Sequence, residues 1–260
     1  MSDPKVTFAG TGCFFDMAVQ QKYCYPIFLL MAMLAFSGCS ATFVIQAQPD
    51  ASCAFQFNMN LGNVLAETVK AASTSMGMLN GGTSGAESGL VLFSAEEIES
   101  ALRARSFTAV HAAVPSATEL SAKAIIPAES PEMASFLKCT AHDLLVTLSP
   151  QSIQQLVATL GENDQSYMDL FMAPVLTGEH MTAEEYTDTL AAVYGTELAA
   201  ELSKAQLSIT MYAPTGKAVI KTDSTGFAQK PQILKAGAIF VFPLVEFLTL
   251  SETKTLSISW

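Results

Sequence analysis

The sequence predicts an α+β fold, in which a mainly antiparallel sheet carries amphipathic helices and follows a cleaved signal peptide. Three observations lead to this fold class. Apolar and polar residues alternate near residue 55 and again near the C-terminus, which is the period of a half-buried strand. Between these segments apolar residues recur at helical spacing, and helices and strands cluster separately without strict alternation. A charge-free apolar run at 27–36 precedes all of them.

The stretch Ile27–Phe36, "IFLLMAMLAF", has the features of a secretory leader. A helix of this length spans about 15 Å, which is too short for a bilayer core of about 30 Å but normal for a signal peptide. Lys22 supplies the positive charge upstream, and Ser37 and Gly38 are small residues of the kind that precede a cleavage site. We therefore predict that residues 1–38 are a leader and signal peptide.

Within the stretch "LAFSGCS", Leu34–Ser40, the segment "FSGC" over 36–39 resembles a bacterial lipobox, in which a small residue precedes a cysteine that receives diacylglycerol and becomes the first residue of the mature protein. Phe36 departs from the pattern, which prefers Leu there, although the relaxed lipobox of spirochaetes accepts Phe. The resemblance implies that Cys39 is lipidated and holds the protein on a membrane through acyl chains such as palmitate. The alternative is an ordinary buried cysteine after a hydrophobic segment.

The first residues are unusual for a signal peptide. Residues 1–16 carry Asp3 and Asp16 against the single base Lys5. A start at Met17 would give an n-region of ordinary length and positive net charge. We therefore expect Met17 to be the true start.

Residues 39–127 are predicted to form an N-terminal β-α-α-β-β lobe, joined to Cys39 by a short tether over 40–52. Each element has a local justification: alternation predicts a strand, apolar spacing or a capping box predicts a helix, and turn residues separate a pair of strands. The predicted elements are a strand over 53–61, helices over 61–78 and 94–105, and strands over 107–114 and 119–126.

Residues 128–260 are predicted to form a C-terminal lobe that is helical first and β-rich afterwards, with the alternative that both lobes are one continuous domain. Ser149 as N-cap and Pro150 at the first helical position indicate a helix start. The sequence "TAEE" at Thr182–Glu185 is a capping box and begins another helix. The remaining predicted elements are a short helix over 133–139, a strand over 143–148, helices over 164–172 and 196–204, and strands from 205 onwards.

The C-terminal half also resembles known proteins. The segments "LSPQSIQQLVATL", "SYMDLFMAPVLTGEHMTAEEY", "AAVYGTELAAEL" and "FPLVEFLTLSETKTLSISW" are similar to parts of uncharacterised lipoproteins of treponemes and related spirochaetes. This resemblance covers roughly residues 142–260. It implies an envelope location, and it transfers no catalytic residues.

Two of the five cysteines remain for the folded body. Cys13 and Cys24 lie in the predicted leader and Cys39 is the predicted anchor, which leaves Cys53 and Cys139. An oxidising periplasm would allow these two to form a disulfide. The alternative is two unpaired buried thiols. Neither belongs to a CxxC motif, so a metal or redox role has little support.

The sequence has no strong catalytic signature: it contains no GxSxG, HExxH or EF-hand loop. One acid-rich segment, "GEHMTAEEYTD", has side chains of the types that hold Zn²⁺ or Ca²⁺, namely Glu179, His180, Glu184, Glu185 and Asp188. Because Thr182 is the expected N-cap, acids in the following turn are explained by the helix dipole. We predict no enzyme, metal or cofactor; a metal-dependent hydrolase around His180 and Glu184 is the least favoured alternative.

The leading functional prediction is a lipoprotein of the cell or outer membrane, facing the periplasm or the cell exterior, with a binding or structural role. Several acyl chains make such anchoring stable. The net charge of −11, without a basic cluster, repels phosphate backbones, so we expect no nucleic acid as a partner. The alternative is a carrier of lipid or another apolar ligand, because methionines beside aromatic residues at Tyr167–Leu176 suit adaptable pockets. A well-filled core explains these residues equally.

Overall fold

A computed structural model describes residues 39–79, 93–128, 130, 135–157, 173–225 and 229–260. The predicted leader over 1–38, the start at Met17 and the helix predicted over 164–172 lie outside these residues. Gly38–Trp260 form one compact unit, which spans both predicted lobes. Within the part of the chain that the structure describes, no helix has the length and hydrophobicity needed to cross a membrane.

The predicted α+β class is confirmed, because two sheets and several helices make up the described chain. The strands are β1 (Ser40–Ala47), β2 (Cys53–Asn60), β3 (Thr108–Ser116), β4 (Glu119–Ile126), β5 (Leu137–Cys139), β6 (Asp143–Leu148), β7 (Gln206–Tyr212), β8 (Lys221–Thr225), β9 (Gln232–Leu234), β10 (Gly237–Pro243) and β11 (Lys254–Ser259). The helices are α1 (Asn63–Leu79), α2 (Ala95–Ala104), α3 (Pro150–Val157), α4 (Pro174–Thr177), α5 (Ala183–Tyr194), α6 (Thr196–Lys204) and α7 (Leu244–Leu248).

The larger sheet has seven strands in the order β3-β4-β2-β1-β7-β10-β9, and the smaller sheet has four in the order β5-β6-β11-β8. Among the described strands, β1 and β7 form the one parallel pair, with Ser40 level with Gln206. Strands from both predicted lobes therefore belong to the larger sheet.

The main core contains inward-facing side chains of both sheets. On β1, Phe43 and Ile45 point to this core, and they are level with Phe57 and Phe55 of β2. The Phe43 and Phe57 rings lie 4.6 Å apart, which is a favourable cross-strand aromatic contact. Fully buried members from both sheets include Ile45, Leu144, Val146, Met211, Leu256 and Ile258.

A second cluster, here called the helical core, joins α1, α5 and α6. Tyr186 and Leu190 of α5 and Leu198 of α6 are almost completely buried in it. These residues recur on one face of each helix, as expected for amphipathic helices. The helical core is the part of the fold that surrounds Cys39.

Side chains cap the starts of three helices, at Ser94, Ser149 and Thr182. Ser94 Oγ accepts a hydrogen bond from the Glu97 amide at 3.3 Å, and Ser149 Oγ accepts one from the Ser152 amide at 3.0 Å. Thr182 and Glu185 form the full reciprocal capping box at the start of α5. These side chains bind backbone N–H groups that have no acceptor within the helix.

The tether predicted over 40–52 is wrong, because residues 40–47 form β1 in the middle of the larger sheet. The alternation of Phe43, Ile45 and Ala47 with polar neighbours was a strand signal, but Val44 interrupts it and Pro49 follows closely. Antiparallel pairing with the neighbouring β2 and parallel pairing with β7, which is distant in the sequence, decide the conformation. Cys39 is consequently attached to the sheet without a linker.

Two other predicted elements also differ from the structure. Within the helix predicted over 133–139, Leu137–Cys139 form β5, which pairs antiparallel with β6. A short apolar run such as Phe136–Leu137 fits either conformation, and the neighbouring strand selects the extended one. The continuous strands predicted after 205 are interrupted by α7, which begins directly after Pro243.

Candidate functional site

Cys39 is the residue on which the sequence prediction depends, and the structure places it directly before β1. Only 4% of its surface is exposed. It is a member of the helical core, together with Leu65, Val69, Tyr186, Leu190, Leu198, Ala199, Leu202 and Ala205. The sulfur is therefore surrounded by apolar side chains.

Gly62 and Glu201 are the polar neighbours of Cys39. The Gly62 N–H donates a hydrogen bond to the Cys39 sulfur. The Glu201 carboxylate accepts hydrogen bonds from the Val64 amide at 3.2 Å and the Leu65 amide at 2.9 Å, and so caps the start of α1. A Cβ atom at residue 62 would collide with this carboxylate, so glycine is required for the close approach.

The surroundings make the Cys39 thiol unreactive in the folded protein. Burial raises the pKa of Cys39 to about 11; the Gly62 N–H acts in the opposite direction, and the nearby Glu201 carboxylate raises the pKa further. A thiol with this pKa is almost entirely protonated at neutral pH, and the thiolate is the nucleophilic form. The geometry therefore does not suit nucleophilic catalysis at Cys39.

Cys53 and Cys139 are brought together by the fold. Cys53 begins β2 in the larger sheet and Cys139 ends β5 in the smaller sheet, and both line one small recess. The two thiols interact, and this contact lowers the pKa of Cys139 and raises that of Cys53. The Cys139 thiol also donates a hydrogen bond to the Thr140 carbonyl at 3.8 Å. Both thiols are free in the structure.

In the acid-rich segment near α5, Glu185 takes part in capping the helix. Glu185 accepts hydrogen bonds from the amide and the hydroxyl of Thr182, at 2.8 and 2.9 Å, and these bonds lower the pKa of Glu185. His180 lies outside the helix and is exposed. Across the described ranges, no three His, Cys, Asp or Glu side chains converge as metal ligands would.

The two best-formed recesses among the described residues are small. One holds about 70 Å³ and is lined mainly by α5, with Met181, Tyr186 and Tyr194 in its wall. The other holds about 20 Å³ beside Cys53 and Cys139. Drug-sized ligands occupy pockets of roughly 300–1,000 Å³, so neither recess has room for a lipid molecule.

Sequence patterns did not reveal Gly62 and Glu201. Glu201 lies on an amphipathic helix where an acid is ordinarily a solvent-facing residue, and the amides that it binds are more than 130 positions away in the sequence. No local motif signals such a contact. Only the packing of α1 against α6 brings the two segments together.

The chain was also compared with known proteins. No family model, no curated protein and no solved structure matches it.

Proposed function

We propose that this chain is a lipid-anchored protein of the cell envelope, in which Cys39 is the first residue of the mature protein and carries the acyl chains. Its role is binding or structural. The observation that carries the proposal is a coincidence of two boundaries. The lipobox-like segment ends at Cys39, and the compact unit begins at Gly38, with β1 starting at Ser40.

The absence of a tether gives the proposal a specific geometry. Cys39 is one residue from a central strand, and a residue in an extended chain spans about 3.5 Å. Acyl chains on Cys39 would therefore hold the helical core, and the end of the larger sheet at which β1 begins, close to the bilayer surface. A lipoprotein with a long flexible linker would instead move freely away from the membrane.

The chemistry of Cys39 sets the order of events. Forming a thioether needs an accessible thiolate, and the folded protein provides a buried thiol with a pKa of about 11. Lipid attachment must therefore precede the folding of β1 and α1. The product sulfur is an uncharged thioether, which has no proton to lose.

The competing interpretation is that Cys39 is an ordinary buried cysteine of the helical core. Its low exposure agrees with this interpretation as well. The two interpretations make opposite predictions about the covalent state of the sulfur. Metabolic labelling of cells that express the full chain, with an alkyne analogue of palmitate, distinguishes them.

We expect the wild-type chain to take up the label and the Cys39→Ala variant to take up none. Cys53→Ala and Cys139→Ala are matched controls, because each also removes one cysteine of the folded body and should keep the label. The mass of the N-terminal peptide should equal that of a lipidated peptide that begins at Cys39. Label that persists in Cys39→Ala, or a free Cys39 thiol in the wild-type membrane fraction, contradicts the proposal.

A further inference from the structure

The contact between Cys53 and Cys139 lies where the two sheets meet. Cys53 is level with Ile126 at the start of β2, and Cys139 is level with Leu144 at the end of β5. Cys53 is 3% exposed and belongs to the main core, while Cys139 packs against that core and is partly exposed. A covalent bond between them would join the larger sheet directly to the smaller one.

Both cysteines line the same recess of about 20 Å³, and each lies at a strand end. A disulfide needs a sulfur separation of about 2.05 Å and Cβ atoms about 3.5–4.5 Å apart. Cys39 belongs to the helical core instead and does not compete for either sulfur.

We propose that Cys53 and Cys139 form a disulfide that links the two sheets, with Cys139 as the attacking thiol and Cys53 as the thiol that completes the bond. Cys139 is partly exposed whereas Cys53 is 3% exposed, so an incoming reagent reaches the Cys139 sulfur first. Its thiolate receives the hydrogen bond from Cys53, which stabilises the charge. Burial and the Cys139 thiolate keep the Cys53 thiol protonated until the first step is over.

The oxidant is a disulfide of an oxidoreductase or of a small thiol. In the first step the Cys139 thiolate attacks one sulfur of this disulfide, a mixed disulfide forms, and one thiol leaves with the proton that Cys139 had lost. In the second step Cys53 loses its proton, its sulfur attacks the Cys139 sulfur, and the second thiol leaves with that proton. Two electrons pass from the cysteine pair to the oxidant, which is reduced to two thiols.

Asp50 is a negatively charged neighbour that affects the pKa of both cysteines. Its carboxylate binds the amide and hydroxyl of Ser52 at 3.0 and 2.7 Å, in the turn between β1 and β2. Its negative charge raises the pKa of both cysteines, so it opposes the Cys53 hydrogen bond at Cys139. The hydrogen bond is the larger influence, and the pKa of Cys139 is lowered overall.

The pairing itself is a property of the folded chain, whereas its occurrence in cells rests on the proposed export to an oxidising compartment. The test therefore begins in vitro. Detergent-solubilised full chain is equilibrated with oxidised and reduced glutathione, free thiols are blocked with iodoacetamide, and the protein is digested with chymotrypsin. Cleavage after Phe43 and Phe55 separates Cys53 from Cys39, and cleavage after Leu137 and Leu144 isolates Cys139.

We expect a linked pair of peptides, 44–55 with 138–144, and a melting temperature about 5–10 °C above that of the reduced protein. The Cys39→Ala variant should give the same linked pair. Peptides that both carry the alkylating group overturn the disulfide. Because palmitate labelling reads Cys39 alone, a failure of the lipid anchor and a failure of the disulfide are seen separately.

The order of attack has its own test. Cys53→Ser should accumulate a stable glutathione adduct on Cys139, because no second thiol is present to displace it. In Cys139→Ser, Cys53 should react with oxidised glutathione at least about tenfold more slowly than Cys139 reacts in Cys53→Ser. Trp260 fluorescence, from the single tryptophan of the chain, verifies that both variants are folded. Equal rates at the two cysteines would refute Cys139 as the attacking thiol.

Discussion

Glu201 Oε1 accepts a hydrogen bond from the Leu65 amide at 2.9 Å, across 136 positions of sequence. The same carboxylate accepts a second bond from Val64, so a side chain of α6 caps the N-terminus of α1. Helix starts are usually capped by a residue just before the helix. Here the cap comes from another helix, and it ties the segment beside Cys39 to the helical core.

Removing this long-range cap should destabilise the fold. Glu201→Ala should lower the free energy of unfolding by about 1–2 kcal/mol, because the amides of Val64 and Leu65 lose their acceptor. Urea unfolding followed by Trp260 fluorescence measures the change. Glu252→Ala, which removes a carboxylate from an exposed loop, should change stability by less than about 0.5 kcal/mol.

Gly62→Ala should disturb the same contact from the other side. The added Cβ would collide with the Glu201 carboxylate and push it away from the α1 amides. The expected loss is again about 1–2 kcal/mol. In a Glu201→Ala background the methyl group has space, so Gly62→Ala should then cost less, and the double-mutant cycle should give a coupling of about 1 kcal/mol. Additive effects would show that the two residues do not interact.

The role of residues 40–47 as a central strand can be tested with one matched pair of substitutions. Ile45→Ala should destabilise the protein by about 2–5 kcal/mol, because Ile45 is completely buried. Ile220→Ala removes the same atoms from a side chain that is 79% exposed, and it should change stability by less than about 0.5 kcal/mol. A similar small effect at both positions would mean that residues 40–47 are a tether after all.

The buried serine cap of α3 should contribute more to the free energy of unfolding than the exposed cap of α2. Ser149 and Ser152 donate to and accept from each other, with both residues buried. Ser149→Ala should cost about 1–2 kcal/mol, because the Ser152 amide is left without an acceptor away from water. Ser94→Ala should cost about 0.5–1 kcal/mol, since water can replace the lost oxygen. The reverse order, measured by urea unfolding, would contradict this view of the caps.

Stability should fall at alkaline pH when Cys39 carries no lipid. Burial raises the pKa of Cys39 from an ordinary value near 9 to about 11, and it raises the pKa of Tyr186 from its ordinary value near 10. The unfolded chain therefore releases these protons first. The stabilisation is complete below pH 9 and is lost as pH rises to 11, by about 1.4 kcal/mol per pH unit for the Cys39 thiol.

Full chain made by cell-free synthesis in detergent keeps a free Cys39 thiol, and urea unfolding between pH 8 and 11 measures this dependence. Cys39→Ala should flatten the curve above pH 9. Tyr186→Phe should flatten it above pH 10, whereas Tyr212→Phe, on β7, is the control. Lipidated protein should lack the Cys39 contribution, because a thioether has no proton to lose. A curve that Cys39→Ala leaves unchanged would contradict the burial of this thiol.

The sequence by itself determined the features that depend on neighbouring residues. The capping box at Thr182–Glu185 and the Ser149 cap follow from side chains that reach backbone amides three positions away. The α+β class follows from apolar periods of two and of 3.6 residues, which set the buried face of each strand or helix. The export signal before Cys39 is local in the same sense, and it remains a prediction.

Tertiary structure alone decided which distant segments meet. It made residues 40–47 a central strand by pairing them with β7, and it converted Leu137–Cys139 from a predicted helix to β5 beside β6. It also brought Glu201 to Leu65 and Cys53 to Cys139. The physical reason is common to all four cases. Short segments with mixed patterns have nearly equal local free energies in several conformations, and hydrogen bonds and burial between distant parts of the chain select one.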